Sequence, residues 1–280
     1  MIAAQGQTTA VVQNDIDALF VRCREERRAA LIPYLTSGFP TEEHTREILP
    51  ILAESGADLI ELGVPFSDPI ADGPIIQRSS TIALQAGMTF LKTVEILRDF
   101  RRMYDTPVIL FGALNPYLAR GLENSAAMAK DAGAQGILAA DLPMEEADEF
   151  RAILQRNNLH LITLIAPTTP SSRVREIAAK CSGFLYCISM KGTTGQLSGV
   201  TQSAQEYVAK VRAETKLPLA LGFGISRPEH VRAAVQAGAD AVVVGSSLIT
   251  RIEEAVEKGK DLRTDIGAYI RGLADATQAR

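Results

Sequence analysis

The chain has 280 residues, 46% hydrophobic and 22% charged, a balance that supports a large buried core and excludes intrinsic disorder. A net charge of −4 without a concentrated Lys/Arg stretch argues against nucleic acid as a partner, and no run of about 18 apolar residues offers a membrane span. Cys23, Cys181 and Cys187 form neither an even disulfide set nor a CxxC pair, and residues 1–12 lack the pattern of a secretion signal, so a cytoplasmic location is expected.

Residues 1–14 read as a mobile tail and 15–280 as one domain. Helical spacing begins at residues 15–26, with Ile16, Leu19, Phe20 and Cys23 on one face and Asn14 placed as a cap. Short apolar runs then alternate with amphipathic stretches. Strands are predicted over residues 30–35, 59–64, 108–112, 136–141, 161–166, 184–189, 218–224 and 241–246. Helices are predicted over 41–55, 89–102, 144–157, 171–180, 204–214 and 227–237, with one more over 262–276. Continuous apolar strands imply burial on both faces, as in a parallel sheet covered by helices. Eight such units in about 250 residues predict an α/β fold, a (β/α)8 TIM barrel with an additional N-terminal helix. Gly56, Gly133 and Gly238, each just before a predicted strand, fit left-handed helix ends.

The most informative stretch follows the second strand: Leu59-Ile60-Glu61-Leu62-Gly63-Val64-Pro65-Phe66-Ser67-Asp68-Pro69-Ile70-Ala71-Asp72. An apolar strand delivers Glu61 with no basic neighbour in sequence. Such a carboxyl group gains proton affinity, which suits acid–base chemistry near neutral pH. Asp68, Asp72 and Asp141 are further candidate carboxylates, Asp141 serving either to position a neighbour or to cap a helix. The ends of the last two strands carry Gly222, Gly224, Gly245 and Ser246, where backbone N–H groups could approach a phosphate. For either glycine pair alone, tight turns are an equal reading; together they favour a phosphorylated substrate. A third glycine-rich stretch, residues 190–199, reads as a lid. Its Lys191 is a candidate for imine chemistry if desolvated, and otherwise a solvated lysine. His44, His160 and His230 fall away from the expected catalytic rim, so neither histidine catalysis nor a bound metal is expected.

The run from Glu61 to Gln77, ELGVPFSDPIADGPIIQ, closely resembles the signature of the tryptophan synthase alpha subunit. Similarity continues in order through Leu31 to Gly38, Asn115-Pro116, Ala140 to Pro143, Gly222 to Ser226 and Val244 to Ser246. The resemblance implies a lyase that cleaves indole-3-glycerol phosphate to indole and glyceraldehyde 3-phosphate in tryptophan biosynthesis, with no cofactor in this chain. It implies Glu61 as the acid–base group and Asp72 as the partner of the indole nitrogen. Phosphate contacts fall on Gly195, Gly224, Gly245 and Ser246, and Tyr34, Tyr186 and Phe223 fall near the indole or the glutamate. Thr194 would hold the Asp72 loop. The family works with a pyridoxal-phosphate beta subunit, two copies of each chain, and Pro65 and Asp68 match its partner-contacting loop. Two positions depart from the pattern: Ala113 stands where a tyrosine is common, and the lid lacks an arginine that some members carry. The alternatives are an indole-releasing lyase that acts alone, a Lys191 imine aldolase, and a non-catalytic subunit that activates the beta partner.

Overall fold

Strands apolar on both faces have no side to turn toward water, and the chain resolves this by closing its sheet on itself. The computed structural model describes residues 12–188, 197–222 and 224–278. The parallel strands β1 (Ala30–Thr36), β2 (Ile60–Gly63), β3 (Val108–Gly112), β4 (Gly136–Ala139), β5 (His160–Ile165), β6 (Leu185–Ile188), β7 (Leu219–Gly222) and β8 (Ala241–Val244) pair in sequence order, and β8 closes on β1. The predicted (β/α)8 barrel is therefore present.

Helices α1 (Asp15–Glu25), α2 (Glu42–Glu54), α3 (Pro74–Gln85), α4 (Phe90–Arg101), α5 (Asn115–Leu118) and α6 (Leu122–Asp131) accompany the first half of the barrel. They are followed by α7 (Asp148–Arg156), α8 (Ser171–Lys180), α9 (Leu197–Arg212), α10 (Pro228–Gln236), α11 (Ser246–Glu257) and α12 (Leu262–Asp275). Gly56, Gly133 and Gly238 have φ of +101°, +91° and +96°, the left-handed conformation that ends a helix without a Cβ clash. Helices α3, α5, α6 and α11 were not among the predicted elements. Helices α3 and α6 bury mostly small residues (Ser79, Ser80 and Ala83; Ser125, Ala126 and Ala129), so their apolar period is weak. Helix α11 starts directly from the apolar run of β8 and has no side-chain cap to announce it.

Alternation along each strand divides the core in two. Ile32, Leu59, Ile109, Leu138, Ile162 and Phe184 point into the barrel, and α1 closes its N-terminal end with Ile16, Leu19, Phe20 and Cys23. Leu31, Ile60, Leu62 and Leu110 face outward into the helical layer. The cap Asn14 builds the capping box of α1. Its Nδ2 also donates to the backbone oxygens of Gln135 (2.8 Å) and Asn158 (3.0 Å), beside the starts of β4 and β5. Residues 12–14, read from sequence as part of a mobile tail, instead lie against the barrel. Val12 is buried, and Gln13 exchanges hydrogen bonds with the Asn158 side chain at 3.1 and 3.0 Å. Residues 1–11 fall outside the described residues. With the lower end closed by α1, the C-terminal mouth of the barrel stays open.

Candidate active site

A cavity of about 990 Å³ opens at that mouth, at the upper end of the range for small-molecule sites. Its wall is made by inward-pointing residues one step above the sealed core, among them Tyr34, Glu61, Phe111, Tyr186 and Gly222. Glu61 stands in register with Tyr34 of β1 and Ile109 of β3, and is 1% exposed. Its Oε1 has no hydrogen-bond partner among the described residues. Burial alone pushes its carboxyl group up to about 8, so it is largely protonated at neutral pH.

Asp72 reaches the same cavity from the β2–α3 loop. The loop is held at its end: Asp72 N–H donates to Pro69 O (3.0 Å), and Gln77 Nε2 donates to Asp72 O (3.0 Å). Helix α3 is anchored to β1 by the Thr36–Ser79 hydroxyl pair at 2.7 Å. Burial, with a contribution from Asp141, raises Asp72 to about 6. It remains mostly ionised at pH 7, about two units below Glu61. Asp141, just beyond β4, accepts the Leu114 N–H at 2.7 Å, so it secures the entry to α5 and also adds its charge near Asp72.

Two tyrosines are seated over glycines of the next strand. A Cβ on Gly63 would overlap the Tyr34 hydroxyl, and one on Gly222 would lie 2.6 Å from the Tyr186 hydroxyl. Burial, together with the nearby carboxylates, raises both phenols so that they stay neutral. Tyr34 also meets Phe111 edge-on, with ring centroids 5.3 Å apart, giving the cavity an aromatic wall. The same cavity is lined by Gly224 (φ +61°), Gly245 and Ser246. The first N–H groups of α11 have no acceptor within the helix, and no side chain caps them. An anion placed there would receive both those N–H groups and the helix dipole.

The comparisons with known proteins concern the chain as a whole. The family model described as tryptophan synthase alpha chain matches residues 20–278. The chain belongs to the tryptophan synthase alpha chain family. It is 44% identical to the tryptophan synthase alpha chain of Geobacter sulfurreducens over 262 residues, spanning 93% of this chain and 99% of that one. The Chloroflexus aggregans alpha chain is also 44% identical, over 95% of this chain and 98% of its own. Among solved structures, tryptophan synthase subunit alpha from Legionella pneumophila superposes with a TM-score of 0.89 at 37% identity, covering 96% of this chain and all of that one.

The expected alpha-chain site residues Tyr34, Glu61, Asp72, Tyr186, Gly224, Gly245 and Ser246 thus share one cavity. Lys191, Thr194, Gly195 and Phe223 lie outside the described residues. On the loop expected to meet a beta subunit, Asp68 is exposed, whereas Pro65 is buried and offers no free face. Ile70, which the sequence reading did not single out, is 83% exposed on the same loop. His230 lies closer to the mouth than expected, with Nδ1 3.3 Å from the backbone N of the cavity residue Ser226. The sequence reading also missed Phe111, Arg251 and Tyr269 as cavity residues. An aromatic at an inward parity was a usable signal for Phe111; nothing local marked the other two. No helix among the described residues is long and apolar enough to cross a membrane.

Proposed function

We propose that Glu61 and Asp72 carry out the retro-aldol cleavage of indole-3-glycerol phosphate to indole and glyceraldehyde 3-phosphate, the lyase reaction of the alpha chain in tryptophan biosynthesis. The observation that carries this reading is a desolvated glutamate, its Oε1 without a hydrogen-bond partner among the described residues, in the same cavity as an uncapped helix start and two glycine turns. Protonated Glu61 delivers a proton to C3 of the indole. Ionised Asp72 balances the charge that develops on the ring nitrogen, and Glu61, now a carboxylate, takes the proton of the glycerol hydroxyl as the carbon–carbon bond breaks. Two carboxyl groups held apart in proton affinity suit these opposite tasks.

The indole ring lies against Tyr34, Tyr186 and Phe223, and the phosphate is received by Gly195, Gly224, Gly245 and Ser246. Thr194 and Lys191 belong to a lid that excludes water. Residues 15–280 act as one barrel domain that needs no cofactor of its own and works in the cytoplasm. The loop bearing Asp68 and Ile70 docks a beta subunit that holds pyridoxal phosphate, in an assembly of two alpha and two beta chains. The test is indole release by the purified chain, with and without beta subunit, compared with Glu61→Gln. Turnover should fall at least about a hundredfold in the variant while inorganic phosphate still binds. Turnover retained within a factor of about ten would remove Glu61 from the chemistry.

A further inference from the structure

The strand pairing of β7 with β8 consists of Ala220 with Ala241 and Leu221 with Val242. Beyond it the two segments that carry the phosphate-facing glycines leave the ladder. One contains Gly224, at φ +61°, with open space where a Cβ would stand. A cradle made of two such segments binds an anion well only if their separation is held before the anion arrives.

A side chain from a third element spans them. Tyr269 of α12 has its hydroxyl 3.2 Å from Ser226 O and 3.0 Å from Ser247 Oγ. Ser247 Oγ in turn donates to Ile225 O at 2.6 Å. Because that serine proton is committed to Ile225, the single phenolic proton is shared between Ser226 O and Ser247 Oγ. The chain of bonds joins the β7 loop to the first turn of α11. The ring is fixed as well: the Arg251 guanidinium lies 4.9 Å from its centroid and is paired with Asp265 of α12 at 2.8 Å, which also binds Lys260 at 3.0 Å.

We propose that Tyr269 is a positioning residue for the phosphate cradle, its hydroxyl setting the distance between the Gly224–Ser226 turn and the start of α11. This rests on the cradle reading given above. Tyr269→Phe removes one oxygen and leaves the ring and its Arg251 stack in place, so the fold and the apolar part of the cavity should be retained. In the purified full-length chain, inhibition by inorganic phosphate and KM for indole-3-glycerol phosphate should weaken roughly two- to tenfold, the range expected for one hydrogen bond. The kcat and the affinity for free indole, which carries no phosphate, should stay within a factor of about two. Ser247→Ala should weaken phosphate similarly, and the double variant should lose no more than the larger single change. Unaltered phosphate affinity in Tyr269→Phe, or an equal loss for phosphate and indole, would overturn the strut and leave the cradle standing. Absence of phosphate binding by the unaltered chain would overturn both.

Discussion

The phenol of Tyr34 lies over Gly63, two places beyond Glu61 on the neighbouring strand, so that a Cβ at Gly63 would overlap its hydroxyl and sit 2.7 Å from Cζ. The missing side chain makes room for an aromatic wall beside the glutamate. Gly63→Ala is expected to destabilise the protein by about 1–3 kcal/mol and to lower turnover by displacing that ring. Combining it with Tyr34→Leu should cost less than the sum of the single changes, measured by denaturant unfolding. Additive costs would mean that the two positions are not in contact.

Glu61 makes stability depend on pH with a definite sign. Its folded-state proton affinity lies above the unfolded value of 4.5, at about 8, so between these limits the folded chain holds more protons than the unfolded one. Stability contributed by this group is therefore present at low pH and lost as pH rises toward 8, by up to about 1.4 kcal/mol per unit. Glu61→Gln, which cannot ionise, should exceed the parent in Tm at pH 8.5 by a margin that shrinks toward pH 5. A pH-independent difference would contradict the buried acid.

The pair of carboxyl groups also defines an activity window. The proposed mechanism needs Asp72 ionised, above about 6, and Glu61 protonated, below about 8. The kcat/KM of the free chain should be bell-shaped between these values. Steady activity from pH 5 to 9 would exclude these two groups as the titrating acid and base.

Asp141 tunes one limb of that bell. Its charge helps to raise Asp72, so Asp141→Asn should move the acidic limb to lower pH. It should also weaken the 2.7 Å bond from the Leu114 N–H and so reduce Tm modestly. An acidic limb unmoved in this variant would show that burial alone sets Asp72.

At the opposite end of the barrel, Asn14→Ala removes the capping box of α1 and leaves the backbone oxygens of Gln135 and Asn158 without its amide. A loss of roughly 1–3 kcal/mol is expected in chemical denaturation, with kcat unchanged because the plug lies far below the cavity.

The sequence by itself determined the barrel. Eight apolar runs separated by crossover lengths favour a parallel sheet covered by helices and closed on itself, and left-handed glycines at Gly56, Gly133 and Gly238 stand just before β2, β4 and β8. It also singled out Glu61, because a carboxylate inside an apolar strand is legible without coordinates. Helices α3 and α6 were not legible, since their small buried residues carry little periodic signal. Only the tertiary structure decided how strongly Asp72 is desolvated and that Asp141 stands near it, because those effects depend on two loops, after β2 and after β4, that are far apart in sequence. Tyr269 is the extreme case. Nothing near it in the chain distinguishes it from any other half-buried tyrosine on a covering helix, and its relation to Ser226 and Ser247 arises only when α12 packs against α11 and brings its hydroxyl to the mouth. Local pattern reports which face of an element is buried, whereas electrostatics and positioning depend on which distant groups meet there.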